Sequence, residues 1–264
     1  MLTHLFLYTR HLLAKPQPTT SNLAEMLIEM SRSQVTYVSK DSLDFARVRK
    51  DIEALMPIKP SDGWALKGML YALAGEEQTM RESFKNSIKI CAGFEPHVNF
   101  AGCLAILGYF SEAQKQLFPF LLSESGFLAF NIDRGAQYGM FCLLADQIMK
   151  AKERGMSLSI EKHQVEKIST AARILSREGI TDEQVAEQLD LVGEVLRRHS
   201  MIAPPILYKA VDIPDIFVGV VVEANVPVDA DTVVSMNIEL AELSIKRGAP
   251  VHERLAVLFS QRVQ

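Results

Sequence analysis

The stretch SDGWALKGMLYALAGEEQTMRESFKNSIKI, residues 61–90, decides the fold. Its first half sets Trp64, Leu66, Leu70, Tyr71 and Leu73 three and four residues apart. That period predicts an amphipathic helix, opened by Ser61-Asp62 and ended by Gly75. Its second half carries the same period through Met80, Phe84, Ile88 and Ile90 and stops near Gly93. Two helices around a glycine turn make a hairpin. The next stretch repeats the design: Pro96 opens a helix through Val98, Phe100, Leu104 and Leu107, Gly108 breaks it, and Ser111 starts a partner through Ala113, Leu117 and Leu121.

Upstream, Ser21 caps a helix through Leu23, Met26, Leu27 and Met30, and Asp41 or Ser42 starts another through Phe45, Val48, Ile52 and Leu55, stopped by Pro57 and Pro60. Downstream, one helix is expected from about Phe130 through Tyr138, Phe141 and Leu144 toward Lys150, then two more at Ile160–Arg177 and Thr181–His199. Pro204 and Pro205 forbid continuation past Met201. There the period changes. Leu207–Ile213 and Ile216–Ala224, rich in Val and Ile, read as strands. Val233–Arg247 reads as an amphipathic helix with Asp229 and Asp231 as capping candidates and Gly248 and Pro250 as stops, and Leu255–Val263 as a last strand. The expected class is α+β: a mainly α-helical hairpin array over residues 1–200, followed by a small C-terminal α/β (β-β-α-β) unit over 205–264. At about 60 residues that unit is near the lower size for independent folding, so it stands alone or rests on the helices.

A fixed period supports the array. Gly68 and Tyr71 recur as Gly135 and Tyr138 after 67 residues, close to two periods of 34; Ala101 and Leu104 lie between them, and the turn glycines Gly75 and Gly108 are 33 apart. With Trp64, Gly68, Tyr71, Gly75 and Phe84 in the first unit and Gly108-Tyr109-Phe110-Ser111-Glu112-Ala113 in the second, the chain resembles the tetratricopeptide repeat family over about residues 61–150. The third unit departs from the pattern, because Cys142 stands where a turn glycine is expected. In such an array a small residue lets paired helices approach, and stacked hairpins bury one another's apolar faces.

The resemblance implies a concave groove lined by the first helices that holds a peptide or protein. By the family's spacing the groove residues include Met69, Ala72, Val98, Asn99, Ile106, Asp133 and Met140, with Asp62, Ala65, Gly102, Ile132 and Ala136 beside them. The set is small and apolar, and only Asn99 suits a carboxylate-gripping role. Two occupants fit it: an apolar peptide or amphipathic helix, to which Met69 and Met140 would adapt, or another part of this same chain. The C-terminal unit offers a second contact, since its sheet edges suit pairing with a copy of itself or with a partner strand.

Composition narrows the classes. In 264 residues, 48% are hydrophobic and 23% charged, and the net charge is −4. This balance excludes a disordered tail or a disulfide scaffold and disfavours a nucleic-acid coat. Cys91, Cys103 and Cys142 have no disulfide or zinc spacing, and read as buried hydrophobes. Met1–Leu13 is apolar but carries His4, Arg10 and His11, and lacks the layout of a signal peptide. No run has the length of a spanning helix. His4, His11, His97, His163, His199 and His252 are scattered, no phosphate-binding glycine loop occurs, and Asp229 and Asp231 suit a helix cap better than a metal site. The expectation is a cytoplasmic, non-enzymatic adaptor, chaperone or assembly factor working without a cofactor or metal in a protein complex. The alternative is a transcriptional regulator. Its helix-turn-helix-like segment would be 181–199, where Arg197 and Arg198 would meet phosphates, against the acidity of Asp182, Glu183 and Glu187.

Overall fold

A computed structural model describes residues 19–91, 93–121, 128–155, 160–213 and 217–262. The expectation for Met1–Leu13 lies outside these residues. The chain is α+β and mainly helical. Helices α1 (Thr20–Ser33), α2 (Leu43–Leu55), α3 (Pro60–Leu73), α4 (Glu77–Ile90), α5 (Glu95–Ile106), α6 (Phe110–Leu121), α7 (Leu128–Gln137) and α8 (Phe141–Glu153) follow one another as hairpins. Then come α9 (Lys162–Arg177) and α10 (Asp182–Arg198), strands β1 (Ile206–Ile213) and β2 (Phe217–Val226), α11 (Ala230–Arg247) and β3 (Leu255–Gln261).

Local chemistry sets the helix starts. Thr19 and Ser42 cap α1 and α2 by accepting from Asn22 N and Phe45 N. Pro60 and Pro96 sit in the first turns of α3 and α5, where a missing N–H costs nothing. Thr181 and Gln184 form a reciprocal capping box on α10, and Asp229 caps α11 through Thr232 N.

The repeat is written in the hairpin turns. Gly75, Gly108 and Gly139 all have left-handed backbone, with φ of 73°, 74° and 81°. The N–H that follows each turn reaches back to close the first helix: Glu76 to Tyr71 O, Tyr109 to Leu104 O and Met140 to Gly135 O, at 2.8–2.9 Å. This corrects the sequence reading in two ways. The helix expected from Phe130 to Lys150 is two helices, parted at Gly139. The matching of Gly135 with Gly68 is also displaced, because Gly135 holds the position that Tyr71 and Leu104 hold in their turns.

Within the α3–α4 hairpin Gly68 lies against Phe84, so close that a methyl on it would stand 2.6 Å from the ring. Phe84 is fully buried and stacks on Phe100 of the next hairpin at 5.1 Å. Of the four aromatics in the repeat pattern, Phe84 and Tyr138 are buried, whereas Trp64 and Tyr71 are half-exposed beneath the Lys67 ammonium.

The sheet has the order β1-β2-β3, with β1 and β2 antiparallel and β2 and β3 parallel through the α11 crossover. It is packed on the helices. Val220, Val222, Ala224 and Phe259 join the buried cluster that holds Phe84, Leu104, Phe141 and Leu189, and Phe141 meets Tyr208 of β1 at 4.8 Å.

Helix α10 lies along the row of turns. Val185 and Leu189 pack on Gly139, and Gly193 packs on Gly108. Past α10, Ser200 and Ile202 pair with Tyr37 and Val35, whose neighbour Val38 bonds Leu73 O; the Tyr37 ring covers Gly75. One strap, α10 and the residues after it, thus crosses the Gly139 and Gly108 turns, and Tyr37, tied to its end through Ser200 O, covers the Gly75 turn.

Candidate functional site

The strap places polar groups against helix ends. Asp182, the first residue of α10, accepts from Cys142 N at 2.8 Å and Leu143 N at 2.9 Å, so it caps α8, which has no capping side chain of its own. Asp190, two turns on, accepts from Ser111 N at 3.1 Å at the start of α6. Arg197, two further turns on, donates to the carbonyls of Leu107 and Gly108 at 2.7 and 2.8 Å and lies 4.0 Å over the Tyr109 ring. Acids meet helix N-termini and the base meets a C-terminus, as the helix dipoles favour. Gln114 is buried and ties the α7–α8 turn to α10 by donating to Tyr138 O and Asp182 O at 2.6 and 2.9 Å. Burial raises the pKa of Asp182 and of Asp190, opposed by the N–H groups they accept.

Beside this join a cleft of about 800 Å³ opens between α6, the start of α8 and the α9–α10 turn. Its apolar walls are Phe118, Met140, Leu143 and Ile180. Phe118 is 47% exposed, while Met140 and Ile180 are buried at the floor. Lys115, Glu183 and Glu187 stand exposed on the rim. The thiol of Cys142 faces the cleft 3.4 Å from Ser176 Oγ, and burial pushes its pKa up to about 11. It stays protonated at neutral pH and is no activated nucleophile. Among the described residues no group of His, Cys, Asp and Glu is placed to hold a metal ion, and no helix is long and apolar enough to cross a membrane.

The residues expected to line a groove are dispersed. Ala72 and Val98 are buried between helices, at 0% and 3% exposure. Met69, Asn99 and Ile106 are half-buried, and the carbonyl of Ile106 accepts from Ala203 N, so the strap crosses that end of α5. Asp133 is exposed and accepts from Gln137 Nε2 at 3.0 Å. Arg134 reaches over Gly102 toward Val98 O, 3.4 Å away, so a cation crosses a face read as small and apolar. Met140 is not on the first-helix face; it sits at the start of α8, in the cleft.

Sequence reasoning missed Lys115, Phe118 and Leu143 as site residues, and took Asp182, Glu183 and Glu187 only as acidity that counts against a nucleic-acid face. Phe118, apolar on the outward side of α6 just before Pro119, was the readable signal. In the segment 181–199, Arg197 is engaged as above and Arg198 pairs with Glu194 and Glu239 at 2.7 and 2.9 Å. No family model, curated protein or solved structure matches this chain.

Proposed function

We propose that the chain is a non-enzymatic adaptor or assembly factor, built as a tetratricopeptide-like stack, that holds an apolar segment of a protein partner in the cleft between α6, α8 and α10. The observation that carries this reading is Phe118, 47% exposed on a wall of an apolar cleft of about 800 Å³. An aromatic in that position gains most when a partner covers it. Glu183 and Glu187 give the rim an acidic side, which suits a basic residue flanking the partner's apolar anchor. The glycine turns of the α3–α4, α5–α6 and α7–α8 hairpins, at Gly75, Gly108 and Gly139, support the repeat-like scaffold. The half-buried Met69, Asn99 and Ile106 leave the first-helix face as a second, shallower place for a peptide.

The alternative of a nucleic-acid regulator has less support. Arg197 is engaged by the carbonyls of Leu107 and Gly108, Arg198 is paired at the surface with Glu194 and Glu239, and Glu183 and Glu187 make the exposed start of α10 acidic. The experiment is affinity capture from native lysate with the wild type, Phe118→Ser and Met69→Glu, each shown to be folded. Loss of one defined protein only in Phe118→Ser supports the cleft. Loss only in Met69→Glu moves the site to the first-helix face. Recovery of nucleic acid and no protein overturns the proposal.

A further inference from the structure

Helix α11 is apolar on two opposite sides. Val233, Met236, Leu240 and Leu243 form its inner side, all buried. On the outer side Val234, Ile238 and Ile245 are 57%, 56% and 82% exposed, and Ala241 is exposed between them. A surface helix needs one apolar stripe, and a second one calls for a second partner. The outer residues follow at intervals of four, three and four, which is the seam spacing of paired helices with a and d positions in register. Val251, 90% exposed just past the end of the helix, extends the apolar surface.

We propose that this seam pairs with the same seam of a second copy of the chain, the two α11 helices running antiparallel. The seam is self-complementary in that direction. Val234 of one copy falls opposite Ile245 of the other, and Ile238 opposite Ala241, so a large residue meets a small one at the centre. Charge selects the direction. Asp231 stands in the first turn of α11 and Lys246 in its last, whereas Asp229 is engaged by Thr232 and Arg247 by Glu194. Antiparallel pairing sets acid beside base at both ends and opposes the helix dipoles; parallel pairing would set like charges together. A two-fold contact of this kind is the commonest form of homo-oligomer.

The seam lies apart from the cleft. α11 meets the C-terminal part of α10 through Arg198–Glu239 and Arg247–Glu194, whereas the cleft is at α10's start. Pairing is therefore separable from partner binding. The contact is one helix wide, smaller than a standard stable interface, so the dimer is concentration-dependent.

The test is sedimentation equilibrium of the full chain from about 1 to about 200 μM, with Ile238→Asp and Ile245→Asp alongside. Both sites are exposed, so each variant is expected to melt with the wild type. The wild type is expected to dimerise across this range and both variants to remain monomeric. Direction is read in a chain with Cys91 and Cys142 changed to serine. Mixed Val234→Cys and Ile245→Cys chains should form a disulfide with each other, and Ile245→Cys alone should not. A wild type that stays monomeric throughout, or a dimer that survives Ile238→Asp, overturns the proposal, as does efficient cross-linking of Ile245→Cys to itself.

Discussion

Gly193, in the middle of α10, lies against Gly108 in the α5–α6 turn, and a methyl group on either would run into the backbone of the other. Two remote segments thus meet backbone to backbone, and the strap is seated on the hairpins there. In an exposed helix a glycine-to-alanine change stabilises by about 1 kcal/mol. Here the sign is reversed: Gly193→Ala is expected to cost about 2 kcal/mol or more, because α10 must lift off the turn. Urea unfolding measures it, and a stabilised variant would refute the close seat.

Arg197 is a structural cation. Its removal leaves the carbonyls of Leu107 and Gly108, in the α5–α6 turn, without their donor and strips a cation from the face of Tyr109. Arg197→Met is expected to destabilise by about 2–3 kcal/mol. Arg197→Lys should recover only part of this, since a single ammonium does not reproduce the planar fork and ring contact. A residue serving only to touch an outside phosphate would leave the urea midpoint unchanged.

Acid acts on the α10–α11 join. Burial works to raise the pKa of Glu194 and Glu239, but the bonds they receive from Arg198, from Arg247 on Glu194 and from His199 on Glu239 hold both below the usual glutamate value. The folded state then binds fewer protons than the unfolded one. Their contribution is complete above the unfolded value and is lost as pH falls through the folded one. Asp182 and Asp190 act oppositely: burial raises them, so their contribution is complete below the unfolded aspartate value and is lost as pH rises through the folded one. Urea midpoints between about pH 3 and 6 should therefore show a shallower acid loss in Arg198→Met and a steeper one in Asp182→Asn.

The cleft separates binding from folding. Phe118 is half in water, so Phe118→Ser is expected to change stability by less than about 1 kcal/mol. Met140 is 2% exposed at the floor, and Met140→Glu would bury a charge with no partner and unfold the chain at ordinary temperature. Thermal melts of the two variants distinguish a surface wall from a buried floor.

Most of the fold was legible because it is local. The glycine turns after α3 and α5, the proline start of α5, and the change to a Val-rich pattern after Pro205 all act within a few residues of themselves; Pro60, read as the stop of α2, is instead the first residue of α3. The α7–α8 break was missed. Gly139 sits between two apolar runs whose phases join, so periodicity reads across it as one helix. The amphipathic reading of α11 named neither side, and Val234, Ile238 and Ile245 opposite the buried stripe blur the contrast on which such a reading depends. The cleft was not legible at all. It joins Phe118, Leu143 and Glu183, which lie on three different elements, and nothing in a linear pattern says that the start of α10 lies at the start of α8.

The most direct test of the account is site-specific photo-cross-linking in the native cell. A benzophenone side chain replaces Phe118 in one chain and Glu187 in a second, with Leu43, 88% exposed on α2, as the control position. The account predicts that one and the same protein is captured from positions 118 and 187 and not from 43. Capture of no protein from either cleft position, or equal capture from position 43, would contradict it.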